Sequence, residues 1–233
     1  MGGTVIRREN NILRRIDIKF YEEELDLTKE VSLNQVEHKF FSGMKNIFEL
    51  AYFLRNIFIK DIACVLVKKE SHIHVYLNSN NLDIIYFLKN NVYFSFNQLL
   101  DFTIVDRLEM SIKKDKRFEF VYMFLSTVNN YRIFVRGFIS LFESLRSLNY
   151  LYSSANWLER EVWDMFGIFI VDHPDLRRIL TDYGFLGFPF RKDFPLSGYV
   201  ELRYDETNKY VVVEPLELSQ EFRYFKFENP WKK

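Results

Sequence analysis

Three carboxylates in one short run come closest to a catalytic group. Glu159, Glu161 and Asp164 lie within residues 156–168, together with two tryptophans. Two carboxylates can act as a general acid and a general base when their surroundings separate their pKa values. If the run is helical, Glu161 and Asp164 lie one turn apart on an outer face, with Arg160 between them. This arrangement favours structural salt bridges over catalysis.

Two histidines alternate on a predicted strand and could bind a metal. His72 and His74 flank Ile73, so both imidazoles project from the same face of that strand. A zinc site needs about four ligands. The other two histidines, His38 and His173, are isolated, and no H-E-x-x-H pattern occurs. We therefore expect no metal site and two solvent-facing histidines.

The sequence lacks the other common signatures of catalysis and cofactor binding. Neither glycine-rich phosphate-binding pattern occurs, and no serine lies in a nucleophile elbow. The single cysteine, Cys64, excludes an internal disulfide and any all-cysteine metal or cluster site. Its apolar neighbours predict a buried, unreactive thiol on a strand. We therefore expect no catalytic residue, no metal and no cofactor bound by this chain.

Basic residues gather late in the chain and could bind RNA. Arg177, Arg178, Arg191 and Lys192 are accompanied, however, by four acidic residues: Asp172, Asp175, Asp182 and Asp193. The whole chain is also balanced, with Lys+Arg 32, Asp+Glu 32 and a net charge of +0. Nucleic-acid binding depends on excess positive charge, so paired charges among aromatic residues favour protein–protein docking. An RNA-binding or other protein-interaction module is the alternative function.

The run 156–168 has two different faces when it is read as a helix at about 100° per residue. One arc is apolar and predicts packing against a core; its members are Leu151, Ala155, Leu158, Val162, Met165 and Phe166. The opposite side combines an aromatic ring with charges at Trp157, Arg160, Glu161 and Asp164. A tryptophan among charges is typical of a protein interface or of a face that contacts a following loop.

The ends of this helix also have sequence signals. Asn156 with Glu159 three residues later predicts an N-cap of the capping-box kind. Gly167 predicts a left-handed residue that ends the helix.

Periodicity elsewhere predicts the remaining elements. Helices are expected at 44–59 and 80–90, with Asn80 or Asn81 as cap, at 156–166 and briefly from His173; residues 141–152 are ambiguous and could form a short helix. Strands are expected at 61–68, 71–77, 101–107, 117–127, 131–138, 168–171, 199–204 and 210–213. Residues 181–198 fit no regular element. This order predicts an α+β fold, with a mostly antiparallel sheet, helices packed on one face and an extended C-terminal tail.

Three regions are expected along the chain. Residues 1–40 form an N-terminal extension, 41–171 an α+β core domain, and 172–233 a loop, a hairpin and an extended tail that docks on partner subunits. The tail is rich in aromatic residues that would not remain in water. The sequence contains no run of about 18 apolar residues, so it predicts no membrane span. The excess of Phe and Tyr, 25 and 14 residues, suggests an A/T-rich coding genome, organellar or otherwise.

Several short runs resemble the 30 kDa (NuoC-type) subunit of respiratory complex I. They lie at residues 156–168, 173–185, 191–195, 220–223 and 230–231. Residues of the central hairpin also resemble the family: Asp106, Arg117, Phe118, Glu119, Tyr122, Leu125, Ser126, Arg132 and Ile133. The resemblance covers about residue 45 to the end. The chain departs from it at Phe188 and Phe190, where the family pattern has histidine and leucine, and at Leu158, where an aromatic residue is common.

The resemblance implies a non-catalytic core subunit in the hydrophilic arm of proton-translocating NADH:ubiquinone oxidoreductase. Such a subunit supports assembly of the quinone-binding module and electron transfer from NADH to ubiquinone. It binds no cofactor itself, because FMN and the iron–sulfur clusters are on other subunits. Its implied partners are the 49 kDa-type subunit and neighbouring iron–sulfur subunits. Its implied location is the matrix side of the mitochondrial inner membrane, as a peripheral part of the complex.

The predicted partner interface combines the outer helix face with charged and aromatic residues of the later chain. Its members are Trp157, Arg160, Glu161, Trp163, Asp164, Arg177, Arg178, Arg191, Lys192, Asp193, Phe222, Arg223 and Trp231.

Overall fold

A computed structural model describes residues 4–6, 47–68, 72–78, 81–108, 116–218, 220, 223 and 225. Within these ranges the helices are α1 Ile47–Ile57, α2 Asp83–Asn90 and α3 Ala155–Phe166. The strands are β1 Thr4–Ile6, β2 Ile62–Lys68, β3 His72–Leu77, β4 Gln98–Asp106, β5 Phe118–Ser126, β6 Tyr131–Ile139, β7 Leu145–Arg146, β8 Ile170–Val171, β9 Val200–Asp205 and β10 Tyr210–Pro215. The chain forms two compact units that divide between Arg191 and Lys192. The predicted docking role of residues 172–233 remains a prediction.

A six-stranded sheet is the framework of the first unit. Its order is β1-β2-β3-β6-β5-β4. All neighbours are antiparallel, except that β3 and β6 run parallel. Two smaller pairs complete the described strands: β7 with β8 in parallel and β9 with β10 as an antiparallel hairpin. The predicted mostly antiparallel sheet is therefore confirmed.

Alternation along β5 builds the centre of the core. Phe118, Phe120, Tyr122 and Phe124 are all buried, because every second side chain of a strand projects to the same face. The buried apolar residues of α1, α2 and α3 belong to the same cluster, so the helices pack on one face as predicted. Burial of one such side chain stabilises the fold by about 1.5–3 kcal/mol.

The end of α3 follows the sequence prediction, but its start does not. Gly167 has a φ of 71° and ends the helix in the left-handed conformation. Ser154, rather than Asn156, occupies the N-cap position and makes no side-chain cap bond. The capping-box prediction fails because Glu159 points inward, where its oxygens accept hydrogen bonds from residues 147 and 148.

One open question about the segments that flank α3 is settled, and one prediction is wrong. Residues 141–152 form turns around the short strand β7 rather than a helix. No helix begins at His173, and residues 172–181 contain no regular element. The amides of residues 179–181 donate to Asp164 instead of to carbonyl oxygens one turn earlier.

Smaller differences concern single residues. His74 is buried rather than solvent-facing, because its ring stacks on that of Phe134 with 4.5 Å between centroids. Cys64 lies on β2 as predicted, but it is partly exposed. Leu82, not an asparagine, is the N-cap residue of α2. Thr4–Ile6 pairs with β2, so this piece of the predicted extension belongs to the sheet.

The structure also bears on metals and membranes. Among the described residues, no group of three or more His, Cys, Asp or Glu side chains could hold a metal ion. In the same part of the chain, none of the helices is both long and apolar enough to cross a membrane.

We expect Gly137→Ala to lower the free energy of unfolding by about 1–3 kcal/mol, since it overpacks the core. Gly137 faces Phe120 across β5 and β6, and an added Cβ would lie 2.6 Å from Cε1 of the buried Phe120 ring. Urea unfolding of the purified chain measures the loss. Thr103→Ala, at an exposed position of β4, is the control and should change stability by less than about 0.5 kcal/mol. Equal effects of the two substitutions would contradict close packing at Gly137.

Candidate protein-docking site at the end of helix α3

The outer side of α3 presents a tryptophan held by an arginine. Trp157 is 64% exposed, and Glu161 is also exposed. The guanidinium carbon of Arg160 lies 5.2 Å from the Trp157 ring centroid. Its Nε donates to the carbonyl oxygen of Arg177 at 3.1 Å. A cation–π contact of this kind holds a large aromatic surface in one orientation at the protein surface.

Trp163 is only half-buried and belongs to a cluster of aromatic rings. It meets the rings of Phe169 and Phe188 edge-on, at centroid distances of 6.0 and 6.1 Å. The Trp163 ring thus packs α3 against the segments that follow it.

Asp164 is fully buried and is occupied by donors of its own chain. One carboxylate oxygen, Oδ2, accepts the backbone N–H groups of Ile179, Leu180 and Thr181 at 3.0, 2.6 and 2.9 Å. The other, Oδ1, accepts the Thr181 hydroxyl at 2.6 Å and lies 3.5 Å from Nη1 of Arg178. The sequence left a partner or the following loop open as the contact of Asp164, and its side chain contacts the loop.

These donors determine the protonation of Asp164. Burial alone would raise the pKa of the carboxyl group, but hydrogen bonds from the Thr181 hydroxyl and the amides of Leu180, Thr181 and Ile179 lower the pKa below its ordinary value of 3.8. Donors aimed at a carboxylate favour its charged form. Asp164 is therefore an anion that fixes a loop and not a proton carrier.

Two arginines enclose the ring of Phe188. The guanidinium carbons of Arg178 and Arg191 lie 4.9 and 4.3 Å from the Phe188 centroid. Arg191 also donates from Nε to the Phe166 carbonyl oxygen at 2.6 Å and from Nη2 to that of Gly167 at 3.3 Å. A cation at the carbonyl end of a helix is stabilising, because the last carbonyl groups lack helical partners. These two arginines thus fold the later loop onto α3.

Gly167 is required at this contact for two reasons. Its φ of +71° is a conformation that L side chains rarely adopt, and an added Cβ would lie 2.5 Å from Cζ of Phe188 and 2.6 Å from Nη2 of Arg191. Phe188 is one of the positions where the sequence departs from the family pattern, and no sequence signal assigned it a role.

A second buried carboxylate on α3 connects other segments. Glu159 is fully buried. Its Oε2 accepts the Ser147 hydroxyl at 2.6 Å, and its Oε1 accepts the amide of Leu148 at 2.7 Å. Nε2 of His173, whose side chain is also buried, lies 3.8 Å from Oε2. His173 accepts the amide of Asp175 at Nδ1 over 3.1 Å. His173, isolated in the sequence, thus contacts Glu159 and Asp175 in the fold.

Burial dominates the electrostatics of Glu159. It raises the pKa of the carboxyl group above 4.5, although the Ser147 and Leu148 hydrogen bonds and the nearby His173 act in the opposite direction. A sequence signal for this burial exists, since Glu159 shares the spacing of Ala155, Val162 and Phe166, which are also buried. The capping-box interpretation concealed that signal.

The other predicted interface residues lie further along the chain. Arg177 is exposed and donates from Nε to both carboxylate oxygens of Asp175, at 2.9 and 2.8 Å. Phe222 and Trp231 lie outside the described residues. The second compact unit presents three exposed members of the set: Lys192, Asp193 and Arg223.

The site's chemistry is that of a fixed surface. Both buried carboxylates, Glu159 and Asp164, are inaccessible to a substrate and are bonded to backbone or hydroxyl donors. The groups that remain accessible are an aromatic ring, paired charges and the loop that Asp164 fixes. This combination favours recognition of a protein surface.

We expect Asp164→Ala to lower the free energy of unfolding at pH 7 by about 2–3 kcal/mol, because removal of a buried acceptor leaves its donors unpaired. Since the folded pKa of Asp164 is depressed, its contribution is present above pH 3.8 and is lost as the pH falls through the folded pKa. Urea unfolding at pH 7 and near pH 3 should show the deficit shrinking in acid. Glu161→Ala, exposed on the same helix, is the control. Equal deficits of Asp164→Ala at both pH values would contradict the assignment.

We expect Glu159→Gln to remove one pH dependence of stability. Because the folded pKa of Glu159 is raised, its contribution is fully present below pH 4.5 and is lost as the pH rises through the folded pKa. The glutamine does not ionise, so the variant should gain stability relative to the wild type between pH 4.5 and 8. Urea midpoints across that range test this. The urea midpoint of Glu161→Gln should match that of the wild type at each pH. A difference between Glu159→Gln and the wild type that does not change with pH would exclude the effect.

Comparison with known proteins places this site in a family. The model of the family described as "Respiratory-chain NADH dehydrogenase, 30 Kd subunit" matches residues 75–200. The NADH-ubiquinone oxidoreductase subunit 9 of Acanthamoeba castellanii is 47% identical over 183 residues, which are 77% of this chain and 91% of that protein. The protein of the same name from Reclinomonas americana is 49% identical over 165 residues, which are 71% of this chain and 78% of that protein.

A solved structure resembles the fold. It is the structure of the membrane-bound sulfane sulfur reductase, an archaeal respiratory membrane complex, with a TM-score of 0.53 and 21% identity over 64% of this chain and 85% of that one. This likeness concerns the fold alone. The family match, by contrast, spans more than half of the chain and includes α3 and the loop fixed by Asp164. The chain therefore belongs to the family of the 30 Kd subunit of respiratory-chain NADH dehydrogenase.

Proposed function

We propose that the chain acts within NADH:ubiquinone oxidoreductase as a non-catalytic core subunit of the hydrophilic arm. In this role it supports assembly of the quinone-binding module and thereby electron transfer from NADH to ubiquinone. One observation carries the proposal. The buried carboxylates of α3 serve the fold, whereas Trp157 stands 64% exposed and is held there by Arg160.

The proposed absence of a cofactor follows from the available ligands. An iron–sulfur cluster is usually held by about four cysteines, and the whole chain has one. No glycine-rich phosphate-binding pattern occurs in the sequence. The FMN and iron–sulfur clusters of the complex are then on other subunits, and this chain contributes no catalytic residue of its own.

The proposed partners are the 49 kDa-type subunit and the neighbouring iron–sulfur subunits. The proposed location is mitochondrial, at the matrix side of the inner membrane as a peripheral part of the complex. Relatives such as the NADH-ubiquinone oxidoreductase subunit 9 of Acanthamoeba castellanii support the mitochondrial assignment. The RNA-binding alternative has no observation in its favour, since the exposed Arg177 is paired with Asp175.

We expect the double variant Trp157→Ala/Arg160→Glu to lower the amount of assembled complex at least several-fold. It removes an exposed aromatic anchor and reverses the charge beside it, and both changes act at the surface. Tagged full-length chains, expressed in cells that lack the native copy, are separated on native gels. The amount that co-migrates with NADH dehydrogenase activity is then measured.

Normal assembly of this double variant would contradict the role proposed for the α3 surface. Glu161→Gln separates the enzymatic alternative from the structural one. Under the proposed function it leaves turnover in the assembled complex unchanged. Loss of turnover with intact assembly would instead support a catalytic carboxylate.

A further inference from the structure

Large apolar side chains protrude from the loop that follows Asp164. Leu180, Tyr183 and Leu186 are 58%, 103% and 85% exposed. Tyr183 and Leu186 are thus almost as exposed as side chains of an extended chain, and Leu180 is more than half exposed, so the three side chains pack against little of the first unit. Exposed apolar groups that lie close together mark binding surfaces more often than scattered single ones do.

The backbone under these side chains is nevertheless firmly held. Its start is bonded to Asp164 through the amides of residues 179–181. Its tip is a turn, in which the amide of Phe185 donates to the Asp182 carbonyl oxygen at 3.2 Å and Gly184 has a φ of +71°. Its end is bonded twice: Arg178 Nη1 donates to the Gly187 carbonyl oxygen at 3.0 Å, and the Phe190 amide to that of Met165 at 3.1 Å.

A rigid loop with exposed apolar side chains has an advantage in binding. Ordering a mobile loop makes the free energy of binding less favourable, and a preformed loop avoids that cost. Tyrosine is also among the residues that dominate interface energies. The hydrogen bonds to Asp164 therefore do more than stabilise the fold, because they hold Tyr183 and its leucine neighbours in one position.

We propose that residues 180–186 form a docking loop whose Tyr183, Leu180 and Leu186 enter an apolar pocket on another subunit of NADH:ubiquinone oxidoreductase. This inference rests on the proposed function and adds to it a specific contact. Asp164 is the positioning residue of the loop, although it touches no partner itself.

Charge and size indicate this occupant. Asp182 is exposed beside the anchors, while Arg178 contacts Asp164, so the tip is acidic. An acidic tip fits a pocket with a basic rim and opposes an anionic lipid surface or a nucleic acid. Three side chains also bury far less than the roughly 1,200 Å² of a stable dimer. A second copy of this chain is therefore a poor occupant, whereas a subunit that contacts the chain at several places fits.

The test uses full-length tagged chains in cells that lack the native copy, and the assembled complex is the probe. The docking variant is Tyr183→Ala/Leu186→Asp. Its matched control is Phe142→Ala/Val128→Asp, at positions 95% and 72% exposed elsewhere on the first unit. We expect at least a tenfold loss of the docking variant from the native-gel band with NADH dehydrogenase activity, and wild-type amounts of the control. Both should keep the wild-type urea midpoint as purified chains.

Asp164 variants test the positioning role. Asp164→Ala keeps all three anchors, yet less of it should co-migrate with NADH dehydrogenase activity. Asp164→Asn retains one oxygen for the three amides, so part of this incorporation should be recovered. Amide exchange of the purified chains should show faster exchange at residues 179–181 in Asp164→Ala, with the sheet still protected. Wild-type incorporation of Asp164→Ala despite this faster exchange would overturn the positioning role.

Several outcomes would overturn the docking loop itself. One is wild-type incorporation of the docking variant. Another is a dimer of the purified wild-type chain that Leu186→Asp dissociates, since the occupant would then be a second copy. A third is sedimentation of the wild type, but not of the docking variant, with phosphatidylcholine–cardiolipin vesicles. If the wild type itself is missing from the band, the proposed function fails and the inference falls with it; loss of only the docking variant supports both.

Discussion

The position of the loop after α3 depends on one buried anion. Asp164 lies in the last turn of the helix and gathers three consecutive backbone amides and a hydroxyl group from residues 179–181. A charged acceptor makes such hydrogen bonds stronger than a neutral one, and low exposure protects them from water. Because these amides are bonded to a side chain, a helix that begins near residue 173 cannot run through residues 179–181. The hydrogen bonds to the carboxylate instead fix the backbone of this segment.

Two acidic residues of one helix thus reach opposite electrostatic states. Glu159 and Asp164 are both fully buried, yet burial raises the pKa of the first, while four hydrogen bonds lower that of the second. Asp164 accepts four hydrogen bonds, whereas Glu159 accepts two. Together the two carboxylates bond α3 to the residues that follow β7 and to the loop that follows α3, so the helix supports both segments.

The sequence predicts those features that depend on neighbouring residues. Gly167 takes a positive φ at the end of α3, because that conformation is set by local backbone chemistry. The roles of Glu159 and Asp164 depend on donors at residues 147–148 and 179–181, which are distant in the sequence. The local sequence around an acidic residue looks the same whether its side chain faces water or buried amides. The exposed side of α3 is therefore predictable at Trp157 and not at Asp164.

The parallel pairing of β3 with β6 has a consequence for synthesis of the chain. It joins two parts that can each form from local contacts, the β2–β3 hairpin and the β4–β5–β6 meander. Local pairs form before distant ones, because closing a long loop is entropically costly. During translation, the edge of β3 therefore remains open until β6 has left the ribosome. An open strand edge pairs readily with other strands, so in this interval the nascent chain is exposed to pairing with other chains.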